Sequence, residues 1–461
     1  MAYHLSQWSG RHLHFIGIGG SGMSGLARIA LSRGLQVSGS DAKDSTVLSA
    51  LAALGAKIYN SHQADHVDQA DFVIVSTAIS AENIEMLRAV ELGLPILTRA
   101  QALATLMSES RSIAVAGTHG KTTTSSMLTV ALQACGLDPS FAIGGTLTSS
   151  GANAHRGTGD LFVAEADESD GSFIEYQPFA AIVTNIEHDH VDYFATESDV
   201  KDAFLEFAQM ISQDGFLIYC LDDPGSTELA SKIQGPKLIS YGTTSSADLS
   251  LDSINLLPMG VNARVLWRAS AIGTLTLQVP GIHNALNAAA ALATGLALSA
   301  PIAEMLTGLS GFHGAGRRFE LKGTVHGIRV IDDYGHHPTE IDVTLTAARL
   351  YAGDGQLFVI FQPHRYSRTK AFLNEFAKSL QLADEVVLLE IYGASEAPIP
   401  GISSQAIAEQ MEKGHFIPNF LDATEWAIAK AKPGDVIMTL GAGDVNSLAP
   451  IICEGLTRRF D

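Results

Sequence analysis

Between residues 112 and 123 the short run Ser-Ile-Ala-Val-Ala breaks at Gly117. It passes through Thr118, His119, Gly120, Lys121, Thr122 and Thr123 into a helical pattern. These residue types suit a nucleoside triphosphate. Glycines let backbone N–H groups close on phosphate oxygens, and the helix N-terminus adds positive dipole. Lys121 neutralises β/γ oxygens, and the Thr122 hydroxyl suits Mg²⁺. The spacing, G-x-x-G-K-T, is two residues shorter than the general phosphate-loop pattern. A glycine turn with an incidental Gly-Lys-Thr is the plain alternative. The strand before it and the helix after it favour the phosphate loop.

Gly17, Gly19 and Gly22 follow an earlier apolar run as G-x-G-x-x-G, with Gly20 and Ser21 inside the pattern. Asp41, after Ser40, ends the next run about twenty positions on, where an acid meets a ribose hydroxyl in dinucleotide sites. The motif reads a pyrophosphate and not a nicotinamide, so NAD, FAD and UDP-sugars all stay open. Glycines serving only close helix–strand packing are the structural alternative.

Two further loops follow buried-looking runs. One carries Glu165, Asp167, Glu168 and Asp170; the other carries Asn185, Glu187, His188, Asp189 and His190. Ligands of open parallel sheets sit at the carboxyl ends of strands, so these loops and the Lys121 loop can converge. A carboxylate and a neutral imidazole beside triphosphate oxygens would hold Mg²⁺. Zinc on His188 and His190 is the alternative, but no cysteine is near. Asn284 and Asn287 offer amides to a base or ribose edge; equally, Asn284 is a candidate helix cap. Further on, Arg317 and Arg318 precede Asp332, Asp333, His336 and His337, and then His364, Arg365 and Arg368. Arg365 and Arg368, three apart, share a helical face and offer forked donors to a carboxylate or phosphate.

The chain has 461 residues, 46% of them hydrophobic, enough for about three domains. Strands are expected at 12–18, 36–39, 72–76 and 94–97, with a helix at 21–32. A second series begins at 112, with strands at 161–164 and 180–184. A third begins near 311–319, with strands at 328–331, 357–361, 385–389 and 436–440, and helices at 339–350 and 370–379. Three α/β units in series result, each with the continuous apolar strands of a covered parallel sheet. Their expected spans are 1–107, 108–312 and 313–461.

The net charge of −20 and the lack of a basic stripe argue against nucleic acid as a partner. Cys135, Cys220 and Cys453 lie far apart and fit a reducing cytosol. The N-terminus lacks the pattern of a signal peptide. Residues 269–303 hold no Asp, Glu, Lys or Arg. Yet 285–303 is rich in Ala, Gly, Thr and Ser, which reads as a closely packed buried helix and not a membrane span.

Nine blocks in order resemble the Mur ligase family over essentially the whole chain. They are GIGGSGMSG at 17–25, AGTHGKTTT at 116–124, EADESDGSF at 165–173, TNIEHDHVDYF at 184–194 and GIHNALNA at 281–288, then GRRFE at 316–320, DDYGHHPTEI at 332–341, PHRYSRT at 363–369 and GAGD at 441–444. The family's loop is itself the short form. DDYGHHPTEI and PHRYSRT look more like the alanine-adding branch than the branch that recycles a murein tripeptide.

The resemblance implies an N-terminal Rossmann-like domain for a UDP-substrate, a central P-loop ATPase-type domain with a parallel or mixed sheet, and a C-terminal Rossmann-like domain closing over the cleft. It implies ATP and Mg²⁺ as cofactors, UDP-N-acetylmuramate and L-alanine as substrates, no membrane, and a monomer or homodimer in the cytoplasm. Lys121 would bind β/γ-phosphates, Thr122 with Glu165 the first Mg²⁺, and His190 the second. Asn284 and Asn287 would hold adenine, Arg318 the transferring phosphate and Asp333 the ribose. His336, Arg365 and Arg368 resemble groups that position the muramyl carboxylate and alanine. Gly19, Gly20, Ser21 and Gly22 would cradle the UDP pyrophosphate, with Ser40 and Asp41 nearby. Lys201, eleven positions after His190, receives no role.

Overall fold

The structure, a computed structural model, describes residues 3–76 and 78–461, the side chain of Ser21 excepted. Its first sheet contains β1 (His12–Ile16), β2 (Gln36–Ser40), β3 (Lys57–Tyr59), β4 (Phe72–Val75) and β5 (Ile96–Thr98). The order is β3-β2-β1-β4-β5, and every pair is parallel. Strand order reverses beside β1, which opens a crevice at its carboxyl end. There β1 stops two residues earlier than expected. Gly17 turns at φ +80°, and the N–H groups of Gly17 and Ile18 both donate to the Ser40 carbonyl. The helix Ser21–Ser32 then carries the loop away.

The second sheet contains β6 (Arg111–Ala116), β7 (Ser140–Ala142), β8 (Ala154–His155), β9 (Leu161–Glu165), β10 (Ala180–Val183), β11 (Phe216–Cys220), β12 (Lys237–Gly242), β13 (Leu249–Leu257), β14 (Gly260–Trp267) and β15 (Ser270–Leu277). Its order is β15-β14-β13-β12-β11-β10-β6-β9-β7-β8. The centre is parallel, while β13, β14 and β15 form an antiparallel meander at one edge. The uncharged stretch is a buried helix, Ile282–Ala297, packed on helix Lys121–Ala134. It is displaced from the expected 285–303: Ser299 turns left-handed at φ +61°, and Pro301 caps the next helix, Ile302–Ser310.

The third sheet contains β16 (Glu320–Val325), β17 (Ile328–Asp333), β18 (Leu357–Phe361), β19 (Glu385–Leu388), β20 (Gly414–Phe416) and β21 (Val436–Leu440), in the order β16-β17-β21-β18-β19-β20. Only β16 runs antiparallel. The single helix expected at 370–379 is two, Tyr366–Ala371 and Leu373–Leu380, because Phe372 leaves the helical region at φ −122°.

One apolar cluster joins the first two sheets: Met23 and Leu26 belong to the same core as Ala154, Phe162 and Phe173. The third sheet has its own clusters, one on each face. Among the described residues no helix is long and apolar enough to cross a membrane.

Candidate active site

Strand β6 ends where Gly117 adopts φ +132°. A Cβ there would lie 2.0 Å from the Thr184 hydroxyl at the end of β10, so the loop admits only glycine at this point. Gly120, at φ +81°, caps helix Lys121–Ala134 without a side chain, leaving its first N–H groups free for phosphate. The Lys121 ammonium folds back into this cradle. It donates to the carbonyls of Gly117 (2.6 Å) and Thr118 (3.0 Å) and to Glu168 (2.8 Å). Burial works against its charge, but Glu168 and Asp167 prevail and raise its pKa.

The Thr122 hydroxyl donates to Glu165 at 3.0 Å, whose other oxygen accepts the Gly144 N–H at 2.7 Å. Beside them His190, at φ +51°, brings Nε2 within 3.4 Å of Glu168. Asp167, Glu168 and His190 offer ligand atoms all within 4.8 Å of one another. Carboxylate and hydroxyl oxygens with one imidazole are a donor set that fits Mg²⁺. His188 turns away toward the Phe194 carbonyl (3.2 Å), so no His188–His190 zinc pair forms. Lys201 is held by Glu197 (2.9 Å) and Glu228 (3.0 Å).

A cavity of about 230 Å³ opens between the central and third sheets. His119, Gly120, Thr123, Asn284, Asn287, Arg318 and Asp333 all line it, with Phe312 and Phe319 as apolar walls. Gly281 caps helix Ile282–Ala297, which corrects the reading of Asn284 as its cap. Asn284 instead donates to the Pro280 carbonyl at 2.6 Å, and Asn287 accepts the Thr124 hydroxyl at 3.1 Å. Asp333, at the end of β17, accepts the N–H groups of Phe319 and Gly335, each at 2.8 Å. Burial pushes its pKa up to about 6 against the pull of Arg318. Arg318 lies over the Tyr334 ring and 3.6 Å from Glu340, whereas Arg317 is structural, bonded to Asp332 and the Gly441 carbonyl.

Burial also works against the charge of His119, yet Glu187 and Glu340 raise its pKa to about 9. His119, Glu187 and His337 form a second close group. His337 Nδ1 accepts the Thr339 N–H at 3.4 Å, so its proton sits on Nε2, which suits a metal poorly.

At the far end of the cleft, burial lowers the His336 pKa to about 3, and this neutral ring donates from Nδ1 to the Tyr334 carbonyl at 3.0 Å. The two arginines of the third unit are not free forks. Arg368, only 3% exposed, donates twice to Asp189 (2.9 and 2.7 Å), and Arg365 pairs with Asp192. Both partners come from the loop after β10, so these pairs tie the third sheet to the centre.

In the first unit, Asp41 accepts the Gly19 N–H at 3.0 Å, so this acid shapes the loop directly. Gly20 caps helix Ser21–Ser32 with no side-chain partner, and Gly22 lies against Arg99. Ser21's side chain lies outside the described residues. Ser40 needs correction as a substrate contact: its side chain is fully buried and donates to Glu85, with His62 at 3.0 Å. Sequence reasoning left Glu168, Glu340 and Arg99 without roles. Glu168 and Glu340 lie inside recognised blocks, but their partners, Lys121 for one and His119 and Arg318 for the other, come from loops far off in sequence.

Residues 12–111 match the Mur ligase family, catalytic domain; 115–295 the Mur ligase middle domain; and 317–443 the Mur ligase, glutamate ligase domain. The chain is 50% identical to the UDP-N-acetylmuramate–L-alanine ligase of Saccharopolyspora erythraea, covering 97% of this chain and 93% of that one. It is 49% identical to the enzyme of the same name from Acidothermus cellulolyticus, covering 97% and 95%. Among solved structures, the UDP-N-acetylmuramate–alanine ligase of Thermotoga maritima superposes with a TM-score of 0.81 at 30% identity, covering 97% of this chain and all of that one. A murein peptide ligase from Psychrobacter arcticus reaches 0.72 at 26% identity, covering 97% and 99%.

Proposed function

The chain belongs to the Mur ligase family, and from that premise we propose that its cleft joins L-alanine to the lactyl carboxylate of UDP-N-acetylmuramate, converting ATP to ADP and phosphate. This is a step of peptidoglycan precursor synthesis. The observation that carries the reading is the meeting, around one cavity, of the Lys121 loop with Asn284, Asn287, Arg318 and Asp333, in a chain half identical to alanine ligases along nearly its whole length.

A carboxylate is a poor electrophile, so it must first acquire a leaving group. Its oxygen attacks the γ-phosphorus of ATP, ADP departs, and an acyl phosphate forms. The amine of L-alanine then attacks the acyl carbon, and the tetrahedral adduct expels phosphate and loses a proton. Two anions must meet in the first step, so cations have to offset their repulsion. Lys121 supplies one at the β/γ-phosphates, once it exchanges its loop carbonyls for phosphate oxygens. Arg318 supplies another on the transferring group, facing the loop across the cavity. Asp333 takes the ribose hydroxyls, while Asn284 and Asn287 face the base. Thr122, Glu165 and His190 would hold Mg²⁺, which supplies charge neutralisation and alignment of the phosphates. Neutral His336, its Nδ1 bonded to the Tyr334 carbonyl, presents Nε2 as a hydrogen-bond acceptor that positions the incoming amine. Arg365 and Arg368 bring the third unit onto that end.

The test is phosphate release and product mass with ATP, Mg²⁺, UDP-N-acetylmuramate and each candidate amine. Release that needs both the nucleotide sugar and L-alanine, with one alanine added, is the expected result. Turnover only with the murein tripeptide would move the chain to the recycling branch, and ATP hydrolysis indifferent to both acceptors would overturn ligation.

A further inference from the structure

Asp333, Glu187 and Glu340 all face the cavity proposed for ATP. An acid beside a triphosphate weakens its binding, because like charges repel. Asp333 meets ribose hydroxyls in the reading above, whereas Glu340 has no part in it. Glu340 stands in the first turn of helix Pro338–Ala352, and only 11% of its side chain is exposed. Its Oε2 accepts the His336 N–H at 3.0 Å, as an acid that caps its own helix would. Capping needs no more than that oxygen.

The other oxygen, Oε1, meets two cations at once. Arg318 Nη1 lies 3.6 Å from it and His119 Nδ1 3.4 Å. Among the described residues Glu340 is the one carboxylate in ion-pair contact with Arg318, whose guanidinium also lies 5.1 Å from the Tyr334 ring centroid. The backbone is left-handed on both sides of Arg318, at Arg317 (φ +59°) and Phe319 (φ +47°). Such a conformation without glycine is costly, and surrounding contacts have to hold it. His119 belongs to the phosphate loop. Its Nε2 is 3.5 Å from Glu187, which in turn accepts the Thr339 hydroxyl at 2.8 Å. Thr339 and Glu340 are neighbours on one helix, so these four groups close a ring between the third unit and the phosphate loop. Burial opposes the ionisation of Glu340, but the donors around it prevail and hold its carboxyl well below the usual range. His119 carries its proton at neutral pH. The ring is therefore charged, paired and of fixed reach.

We propose that Glu340 is a positioning residue for phosphoryl transfer: its carboxylate sets the Arg318 guanidinium over the γ-phosphate, in register with the Lys121 loop, and His119 anchors it across the cleft. The assignment rests on the ligase reading of the cleft, with Arg318 at the transferring phosphate. Glu340 touches no reacting atom. Its charge weakens the binding of ATP while it aligns a cation that the transition state needs, so its effect belongs to kcat and not to nucleotide affinity.

Steady-state ligation and calorimetric Mg-ATP binding by the full-length protein test this, in the native chain and in Glu340→Gln, Glu340→Asp and His119→Asn. Glu340→Gln keeps the size and the His336 contact but releases Arg318 and His119. It should lower kcat about ten- to hundred-fold, while Mg-ATP binds as tightly as before or up to about tenfold more tightly. A mere capping acid would leave kcat native, and that result overturns the proposal. A fall in kcat with weaker Mg-ATP binding would make Glu340 a nucleotide contact and also overturn it. Glu340→Gln combined with His119→Asn should lose about what the larger single change loses, because both break the same bridge. Multiplied losses overturn the role of His119 as anchor. Glu340→Asp keeps the charge and withdraws the carboxylate, so a lowered kcat at a native melting temperature separates reach from folding. Native kcat in Glu340→Asp overturns the proposal even where Glu340→Gln fails to fold. No ligation by the native chain would instead take down the ligase reading, and this assignment with it.

Discussion

Lys121 has three oxygen partners within the protein, so the phosphate binding proposed for it is an exchange and not a first capture. Glu168, 1% exposed, depends on that ammonium for neutralisation. Removing the ammonium therefore has two consequences that need separating. Lys121→Ala should lower kcat by two or more orders of magnitude through lost charge stabilisation at the transferring phosphate. It should also destabilise the fold by about 3–5 kcal/mol, because a buried carboxylate is stranded. Lys121→Ala combined with Glu168→Gln restores the melting temperature but not turnover, which steady-state phosphate release and thermal unfolding together establish. Asp333 gives a pH signature. Its pKa of about 6 means that acid protonates the group proposed to accept ribose hydroxyls. ATP binds the ionised form, so affinity should fall as pH drops through about 6, and Asp333→Asn should flatten that dependence in a fluorescent-nucleotide titration.

The elements that carry these residues are packed with almost no slack. Helix Ile302–Ser310 crosses helix Lys121–Ala134 at Gly308. A Cβ there would lie 2.7 Å from the Ala134 methyl, 2.9 Å from the Ala131 Cα and 3.1 Å from the Val130 carbonyl. Two of these three neighbours are backbone atoms and cannot swing aside. Gly308→Ala should destabilise the protein by about 1–3 kcal/mol, read from urea unfolding, despite the helix propensity that alanine adds. Elements of this kind were the most legible from sequence. Strands β18 and β21 and the helix Ser21–Ser32 fall on their expected residues, because continuous apolar runs end at Gly or polar turns. The meander was not legible. In β13 the alternation of Leu249 and Leu251 with Ser250 and Asp252 slips at a bulge between Asp252 and Asn255, so no single two-residue period runs over its length. Short strands such as β8 exist only by pairing with a neighbour. At the site, glycine and lysine spacing pointed to the loop, but the inward turn of Ser40 and the pairing of Arg368 with Asp189 depend on contacts far apart in sequence.

Across the whole molecule the two junctions differ in kind. The first and central units share one apolar core, whose opening would expose Met23, Leu26 and Phe162 to water. The third unit meets the centre through polar ties: Thr339 to Glu187 at 2.8 Å, His119 to Glu340 at 3.4 Å, Arg365 to Asp192, and Arg368 to Asp189. Polar ties exchange readily for water, which suits the proposed reaction if the third unit parts to admit ATP and closes before phosphoryl transfer. Arg368 and Asp189 are the most buried of these partners, so their pair separates closed from open most sharply. Arg368→Ala should leave the third unit open for more of the time and raise the radius of gyration in small-angle scattering. It should also cut kcat/KM for the nucleotide sugar or alanine about ten- to hundred-fold. ATP affinity should change less, because Glu187–Thr339 and His119–Glu340 still bracket the nucleotide cavity. If ATP affinity alone fell, with acceptor use intact, Arg368 would be acting on the nucleotide side and not as the latch over the acceptor end.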